Sequence, residues 1–365
     1  MRRDRRCATE DFWMIEKPDR EAQFYREAQF YREAQWYTPD PNGAGVQCDL
    51  CPHGCFLEDN AKGVCGVRTA REGKLYTTVY GNACAAHVDP VEKKPLYHFL
   101  PASRAYSIAT AGCNLRCLNC QNWEISQAVP ADVPHIDLPP ARAVQQAEDN
   151  SCSSIAYTYT EPLVYYEYTY DTAVLAKEHG LRNVIVTAGY INPEPLRELC
   201  RFLDAANVDL KGFDEKTCLR LNGIRLGPVL TSLEILRKAG VWLEVSNLIV
   251  PSYTDDMDGI RRMCRWIADH LGTETPLHFL RFHPSYKLMD LPPTPVDMIV
   301  RAGEIAGEEG LSYVYLGNLN GRGGEKTLCP ACGSEVIRRS GFSVEENRLQ
   351  HGSCGCGYNV PGIWN

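Results

Sequence analysis

The chain has 365 residues, 44% of them hydrophobic and 23% charged, with a formal net charge of -8. This is the composition of one large globular domain with small appendages, and it excludes a collagen-like or disordered chain. The acidic balance gives no strong nucleic-acid signal.

The N-terminus reads MRRDRRCATEDFW. No apolar h-region follows the basic residues, so no secretory leader is expected. No apolar run reaches about 18 residues, so no membrane span is expected and the chain reads as cytoplasmic. Its 17 cysteines then favour metal binding over disulfides. Cys7, Cys84, Cys152, Cys200, Cys218 and Cys264 are scattered and read as semi-buried filler.

Residues 20–37 repeat REAQFY, REAQFY, REAQWY. Glu, Ala, Gln and Arg favour helix, but a period of six suits neither a straight helix nor a heptad. The repeat reads as an expansion at a tolerant terminus, with a partner-binding aromatic stripe as the alternative. TPDPNGAG (38–45) is a linker, which makes 1–45 an N-terminal extension.

Residues 46–102 form a Cys-rich module. Cys48, Cys51, Cys55 and Cys65 can close a structural zinc site or hold an auxiliary iron–sulfur cluster. His53 is a spare ligand candidate or a surface histidine. KLYTTVYG (74–81) reads as a short strand. VEKKPLYHF (91–99) is basic and aromatic, and reads equally as a substrate-opening wall or a packed connector.

From 103 to 324 strands and helices alternate. The strands are AYSIAT (105–110), SIAYTYT (154–160), NVIVT (183–187), NVDL (207–210), WLEVSNLIV (242–250), LHFLRF (277–282) and SYVYLG (312–317). Helices are expected at 170–180, 193–203, 227–240 and 295–310. Gly180, Gly240 and Gly310 should end three of them, and Pro193 and Pro295 should sit in first turns. The pattern predicts parallel βα units, as a full or partial barrel or a doubly wound sheet. Residues 325–365 lose the periodicity and read as a zinc-ribbon-like module on Cys329, Cys332, Cys354 and Cys356. Its second knuckle is a shortened C-x-C.

The central motif is AGCNLRCLNC (111–120), which places Cys113, Cys117 and Cys120 in a C-x3-C-x2-C loop after the first barrel strand. Three thiolates on one loop can ligate three irons of a [4Fe–4S] cluster and leave the fourth open. A zinc site would need a fourth ligand, and His135 is the nearest downstream histidine. The loop lies at a strand C-terminus, where α/β enzymes place active sites.

This motif resembles that of the radical S-adenosylmethionine enzymes. CLNCQNWEISQ (117–127), AYTYTEP (156–162), TAGY (187–190), NVDLKGF (207–213), LIVPSYTD (248–255) and LRFHPSYKL (280–288) extend the likeness, as do CDLCPHGC (48–55), GVCGVR (63–68) and VDPVEKKPLYHFLP (88–101). Together they resemble the AmmeMemoRadiSam-system radical enzymes, relatives of pyruvate formate-lyase activating enzymes, over about residues 46–365. The resemblance implies α/β architecture, with a partial (β/α)6-type TIM barrel between the two Cys-rich modules. It implies a [4Fe–4S] cluster and S-adenosylmethionine, whose reductive cleavage yields a 5′-deoxyadenosyl radical that abstracts hydrogen. Many relatives carry an aromatic residue before the third cysteine. Here it is Asn119, and Trp123 is the substitute adenine neighbour.

Alternation along SIAYTYTEP would put Tyr157, Tyr159 and Glu161 on one face. A carboxylate suits an ammonium, and the resemblance implies that Glu161 binds the methionine amino group. Thr187 and Gly189 come in as cofactor-binding through TAGY. Asp209 and Lys211 form an i, i+2 pair that the resemblance places against the methionine part. Arg281 and His283 repeat that spacing and are candidates for anion binding and proton relay.

The expected function is that of a radical S-adenosylmethionine oxidoreductase. It would be supplied by a donor such as flavodoxin or ferredoxin and would act on a glycyl-radical protein. One alternative is modification of a small molecule or another macromolecule, in a pathway with Memo-like and AMME-type proteins. The other is a non-catalytic zinc-binding adaptor with a degenerate barrel.

Overall fold

The computed structural model describes residues 29–319 and 324–364. Cys7 and the first copy of the repeat lie outside the described residues. The core is an eight-stranded sheet, labelled here β1 (Ala85–Pro90), β2 (Arg104–Ala109), β3 (Ser154–Tyr157), β4 (Arg182–Thr187), β5 (Ala205–Asp209), β6 (Trp242–Ile249), β7 (Leu277–Arg281) and β8 (Val314–Gly317). The spatial order follows the sequence order from β1 to β8. β2 to β8 run parallel, and β1 pairs antiparallel with β2 at the edge.

The longer helices between these strands are α1 (Pro140–Asp149), α2 (Tyr166–Glu178), α3 (Pro193–Cys200), α4 (Glu215–Asn222), α5 (Leu226–Lys238), α6 (Met257–His270) and α7 (Val296–Glu308). A doubly wound sheet reverses its strand order at a switch point. This sheet does not, so of the arrangements open to the sequence it is the partial barrel, with six βα crossovers and a final parallel strand. Its strands are lined by Val, Ile, Ala and Leu because both faces are covered. Gly180, Gly240 and Gly310 take φ of 77°, 77° and 91° just past α2, α5 and α7, as left-handed helix ends require. Pro193 opens α3, whereas Pro295 is the N-cap of α7 and stands one position earlier than a first-turn proline.

Two local expectations fail. The third repeat copy is not helical: Arg32–Glu33 pairs with Lys74–Thr77, and Tyr37–Pro39 pairs with Val46–Cys48. Sheet partners override the weak helix preference of Arg, Glu, Ala and Gln. The strand expected over 154–160 stops at Tyr157. Tyr159 adopts φ 65°, and the Thr160 amide bonds back to the Thr158 carbonyl at 2.8 Å. Tyr157, Tyr159 and Glu161 therefore do not share a face. Tyr157 bonds Asn183, Tyr159 bonds Asp89, and Glu161 turns toward β4.

The segment 91–99 packs as a connector and also lines a chamber. Val91, Leu96, His98 and Phe99 are fully buried, while Lys93, Lys94, Pro95 and Tyr97 line a chamber at the barrel mouth. Among the described residues no helix is long and apolar enough to cross a membrane.

Candidate active site

The strand C-termini converge on a cavity of about 80 Å³ lined by Cys113, Cys117, Cys120, Glu161, Thr187, Asp209 and Lys211, among others. Each sulfur has a polar neighbour. The Leu115 amide donates to Cys113 Sγ at 3.3 Å, and Asn222 Nδ2 donates to Cys117 Sγ at 3.2 Å. Cys120 Sγ lies 3.2 Å from Ser126 Oγ. Hydrogen bonds to sulfur are one means by which proteins tune iron–sulfur centres. Burial pushes the Cys113 and Cys117 thiols up; at Cys117, Lys211 and Asn222 oppose it. Gly112 has φ 92°, and a Cβ there would lie 2.6 Å from the Cys65 carbonyl oxygen. Only glycine lets this loop turn so close to the N-terminal module.

Glu161 is 3% exposed, just beyond β3. Thr187 Oγ1 donates to its Oε1 at 2.5 Å, and the Ala188 amide donates to its Oε2 at 2.8 Å. Burial raises its pKa to about 7, against the opposing pull of Thr187, Ala188, Leu163 and Lys211. Gly189 does not line the cavity. It holds φ 68° and donates its amide to Thr187 Oγ1 at 2.9 Å, which fixes the hydroxyl that holds Glu161.

Asp209 ends β5, and Lys211 Nζ lies 3.0 Å from Asp209 Oδ2. Burial opposes the lysine's charge, but Asp209 and the Cys117 and Cys120 thiols outweigh it and raise its pKa. The cavity thus sets a carboxylate and an ammonium beside three thiols, an arrangement suited to a zwitterionic ligand.

Arg281 and His283 are not brought in. β7 ends at Arg281, so His283 lies beyond the strand. Arg281 Nε donates to the Thr294 carbonyl at 2.7 Å, and His283 is exposed. Neither lines this cavity or the larger chamber. Trp123 stacks on Tyr286 at 5.2 Å, and the buried Asn119 Oδ1 has no hydrogen-bond partner. His135 is exposed and packs edge-on against Phe30, so it offers no fourth zinc ligand to the loop.

The cavity adjoins a chamber of about 680 Å³ that shares Tyr159, Thr160, Val186 and Asp209 with it. Lys94 Nζ pairs with Asp89 Oδ2 at 2.6 Å on one wall, and burial lowers its pKa to about 8. The opposite wall is the C-terminal module, through Glu325, Ser340, Gly341 and Phe342. Sequence reasoning missed Asn222, Asp89 and this module's part in the chamber. No local pattern marks them, because each arrives from a distant element.

The C-terminal cysteines meet. All four sulfurs lie within 4.8 Å of one another, with Cys329–Cys356 and Cys332–Cys354 each 3.7 Å apart. A tetrahedron of thiolates about 2.3 Å from zinc has edges of about 3.8 Å. The shortened C-x-C knuckle therefore still closes a site of zinc dimensions. Among the described residues no other three His, Cys, Asp or Glu ligand atoms come that close. The N-terminal set, Cys48, Cys51, Cys55 and Cys65, is not among the groups that meet in this way. His53 is half-buried, with Nε2 2.7 Å from the Asn114 carbonyl oxygen, so it links the module to the Cys113 loop.

An open parallel barrel with three converging thiols at its strand C-termini is the framework of a metal–sulfur enzyme. The chain carries a radical SAM superfamily domain, matched over residues 107–267. It is 47% identical over 303 residues to uncharacterized protein MJ0808 of Methanocaldococcus jannaschii, covering 82% of this chain and 89% of that one. It is 25% identical over 193 residues to the pyruvate formate-lyase-activating enzyme of Clostridium pasteurianum, covering 49% of this chain and 80% of that one. Streptococcus suis SuiB bound to S-adenosylmethionine has 14% identity and a TM-score of 0.47, covering 62% of this chain and 52% of that one. The domain implies S-adenosylmethionine and a [4Fe–4S] cluster as cofactors. The site fits both: three thiols face one cavity, two of them accepting hydrogen bonds, and opposite charges stand beside them.

Proposed function

We propose that the protein cleaves S-adenosylmethionine reductively and uses the resulting radical to abstract hydrogen from a substrate in the adjoining chamber. The observation that carries this is the single cavity that joins Cys113, Cys117 and Cys120 to Glu161 and Lys211. When bound, the cluster and S-adenosylmethionine supply a 5′-deoxyadenosyl radical. Cys113, Cys117 and Cys120 hold the cluster through three irons. Glu161, oriented by Thr187 and the Ala188 amide, accepts the methionine ammonium. Lys211, held by Asp209, meets the methionine carboxylate. The narrow cavity adjoins the chamber, which keeps reacting atoms close.

A chamber of about 680 Å³ walled by the C-terminal module favours a small molecule or a single extended loop as substrate. Similarity to pyruvate formate-lyase-activating enzymes favours the second reading, a glycyl-radical protein that inserts such a loop. The pathway with Memo-like and AMME-type proteins stays with the small-molecule reading. A flavodoxin- or ferredoxin-type donor would supply the electron. The C-terminal cysteines would hold structural zinc and so fix the chamber wall.

The test is anaerobic reconstitution with iron and sulfide, reduction, and assay for 5′-deoxyadenosine. Formation in the native chain and loss in Cys117→Ala supports the reading. Deuterium recovered in 5′-deoxyadenosine from a labelled metabolite or a labelled glycyl protein decides between the substrates. No cleavage by a fully reconstituted protein contradicts it.

A further inference from the structure

The segment PVEKKP (90–95) brings two adjacent lysines to the barrel mouth, and the active-site reading does not use them. Prolines bracket the segment. A 3-10 turn over Val91–Lys93 closes with the Lys94 amide on the Val91 carbonyl at 2.9 Å. Lys93 and Lys94 both line the chamber, and both reach back to one carboxylate. Lys93 Nζ lies 2.8 Å from Asp89 Oδ1, and Lys94 Nζ lies 2.6 Å from Asp89 Oδ2. Asp89 is buried on β1 behind them. Two ammonium groups thus share one carboxylate, and the wall is left with positive charge in excess.

The chamber's other charged groups answer to partners of their own. Glu92 accepts the Ala102 amide at 2.9 Å, and Arg339 Nε lies 3.8 Å from the same oxygen. Asp209 is held by Lys211, and His278 Nε2 lies 2.7 Å from Glu244. Glu325, on the opposite wall, accepts the Gly341 amide at 3.2 Å. Lys94 has capacity left. An ammonium carries three donors. One is spent on Asp89, and another side faces the Tyr159 ring, with Nζ 4.5 Å from the ring centroid. A buried ammonium in this state suits a further anion.

A separate observation ties this wall to the cysteine cavity. Tyr159 lines both the chamber and the small cavity. Its φ of 65° is a left-handed backbone that bulky residues rarely adopt. In that conformation its ring lies against Lys94 and its hydroxyl donates to Asp89. Backbone strain of this kind persists where the surroundings over-determine it, and it clusters at ligand sites. An anion on Lys94 lies beside a residue that the two cavities share.

We propose that Lys93 and Lys94 anchor the substrate, as an oxyanion site that takes the carboxylate or phosphate of a small acid. The proposal rests on the radical chemistry proposed above and names its substrate class. The acid group is held at the chamber wall while a carbon a few bonds away reaches the small cavity. A glycyl backbone carries no such charge, so the anchor selects the small molecule over the inserted loop.

The test is calorimetric titration of the anaerobically reconstituted full chain with inorganic phosphate and with acetate, at constant ionic strength in chloride. Saturable binding at one site per chain is expected, and the tighter probe identifies the acid group. Lys94→Met should weaken it about tenfold or more, as for loss of a hydrogen bond to a charged group. Asp89→Asn should act in the opposite direction. It removes the competing carboxylate and should tighten binding about threefold, a gain that a merely structural cluster would not give. If Lys94→Met does not fold, Lys93→Ala at its exposed position decides, with an expected loss of about two- to threefold. No saturable binding, or binding unchanged in the lysine variants, overturns the proposal. Binding kept in Lys94→Met but lost in Lys211→Met places the anion in the small cavity instead and also overturns it. The titrations read binding alone, so their outcome is separate from whether S-adenosylmethionine is cleaved.

Discussion

Thr187 Oγ1 donates to Glu161 Oε1 at 2.5 Å, which ties the last residue of β4 to the buried carboxylate beyond β3. The hydroxyl is itself held by the Gly189 amide. Glu161 is therefore aimed by the neighbouring strand. Thr187→Val removes the donor and keeps the shape. We expect S-adenosylmethionine affinity to fall about five- to tenfold, as for loss of one ordinary hydrogen bond, since Glu161 itself is kept. Glu161→Gln should cost more than tenfold, with iron content unchanged in both variants. Isothermal titration of the reconstituted proteins reads this. Equal affinity in all three would remove Glu161 from the site.

Arg68 and Glu167 are each 1% exposed, and the Gln35 amide also donates to Glu167 at 3.0 Å. Removing one member of such a pair strands the other. Glu167→Ala should lower unfolding free energy by about 3–5 kcal/mol, measured by denaturant titration. A loss under about 1 kcal/mol would show that the pair is solvated in solution.

His98 links the barrel to the C-terminal module, with Nδ1 2.6 Å from the Pro361 carbonyl oxygen and Nε2 2.6 Å from the Tyr315 hydroxyl. Burial pushes its pKa down to about 4. The unfolded chain takes up this proton near pH 6.5, and the fold refuses it until about pH 4. Stability is thus full above about pH 6.5 and falls across that window as pH drops, by a few kcal/mol. Thermal midpoints measured from pH 7 to pH 4 should fall, and less steeply in His98→Gln.

Cys329, Cys332, Cys354 and Cys356 should hold one zinc per chain. Cys332→Ser should lose it and lower the thermal midpoint, since the hairpin Glu335–Ser340 and Ser343–Asn347 docks on Tyr97 through Arg339. Iron uptake should persist, which elemental analysis of the same sample shows. Zinc retained by the variant would contradict the four-thiolate site.

Much of this was legible in the sequence because it is local. Strand–helix alternation, the glycines after α2, α5 and α7, and the C-x3-C-x2-C loop each depend on neighbours within a few residues. The missed features depend on distant partners. β1 ends in proline and carries His87 and Asp89, so only pairing with β2 makes it a strand. Asn222 reaches Cys117 from the end of α4 across 105 positions. Arg281 and His283 had the same spacing as Asp209 and Lys211, but Arg281 is drawn to the distant Thr294 carbonyl and His283 lies exposed beyond the strand end.

The central claim is that Cys113, Cys117 and Cys120 hold a cluster that S-adenosylmethionine meets directly. Electron paramagnetic resonance of the reconstituted, reduced protein, before and after adding S-adenosylmethionine, tests it most directly. The account predicts a reduced-cluster component that changes on addition and is missing in Cys117→Ala. A reduced protein without any component that responds to S-adenosylmethionine would contradict it.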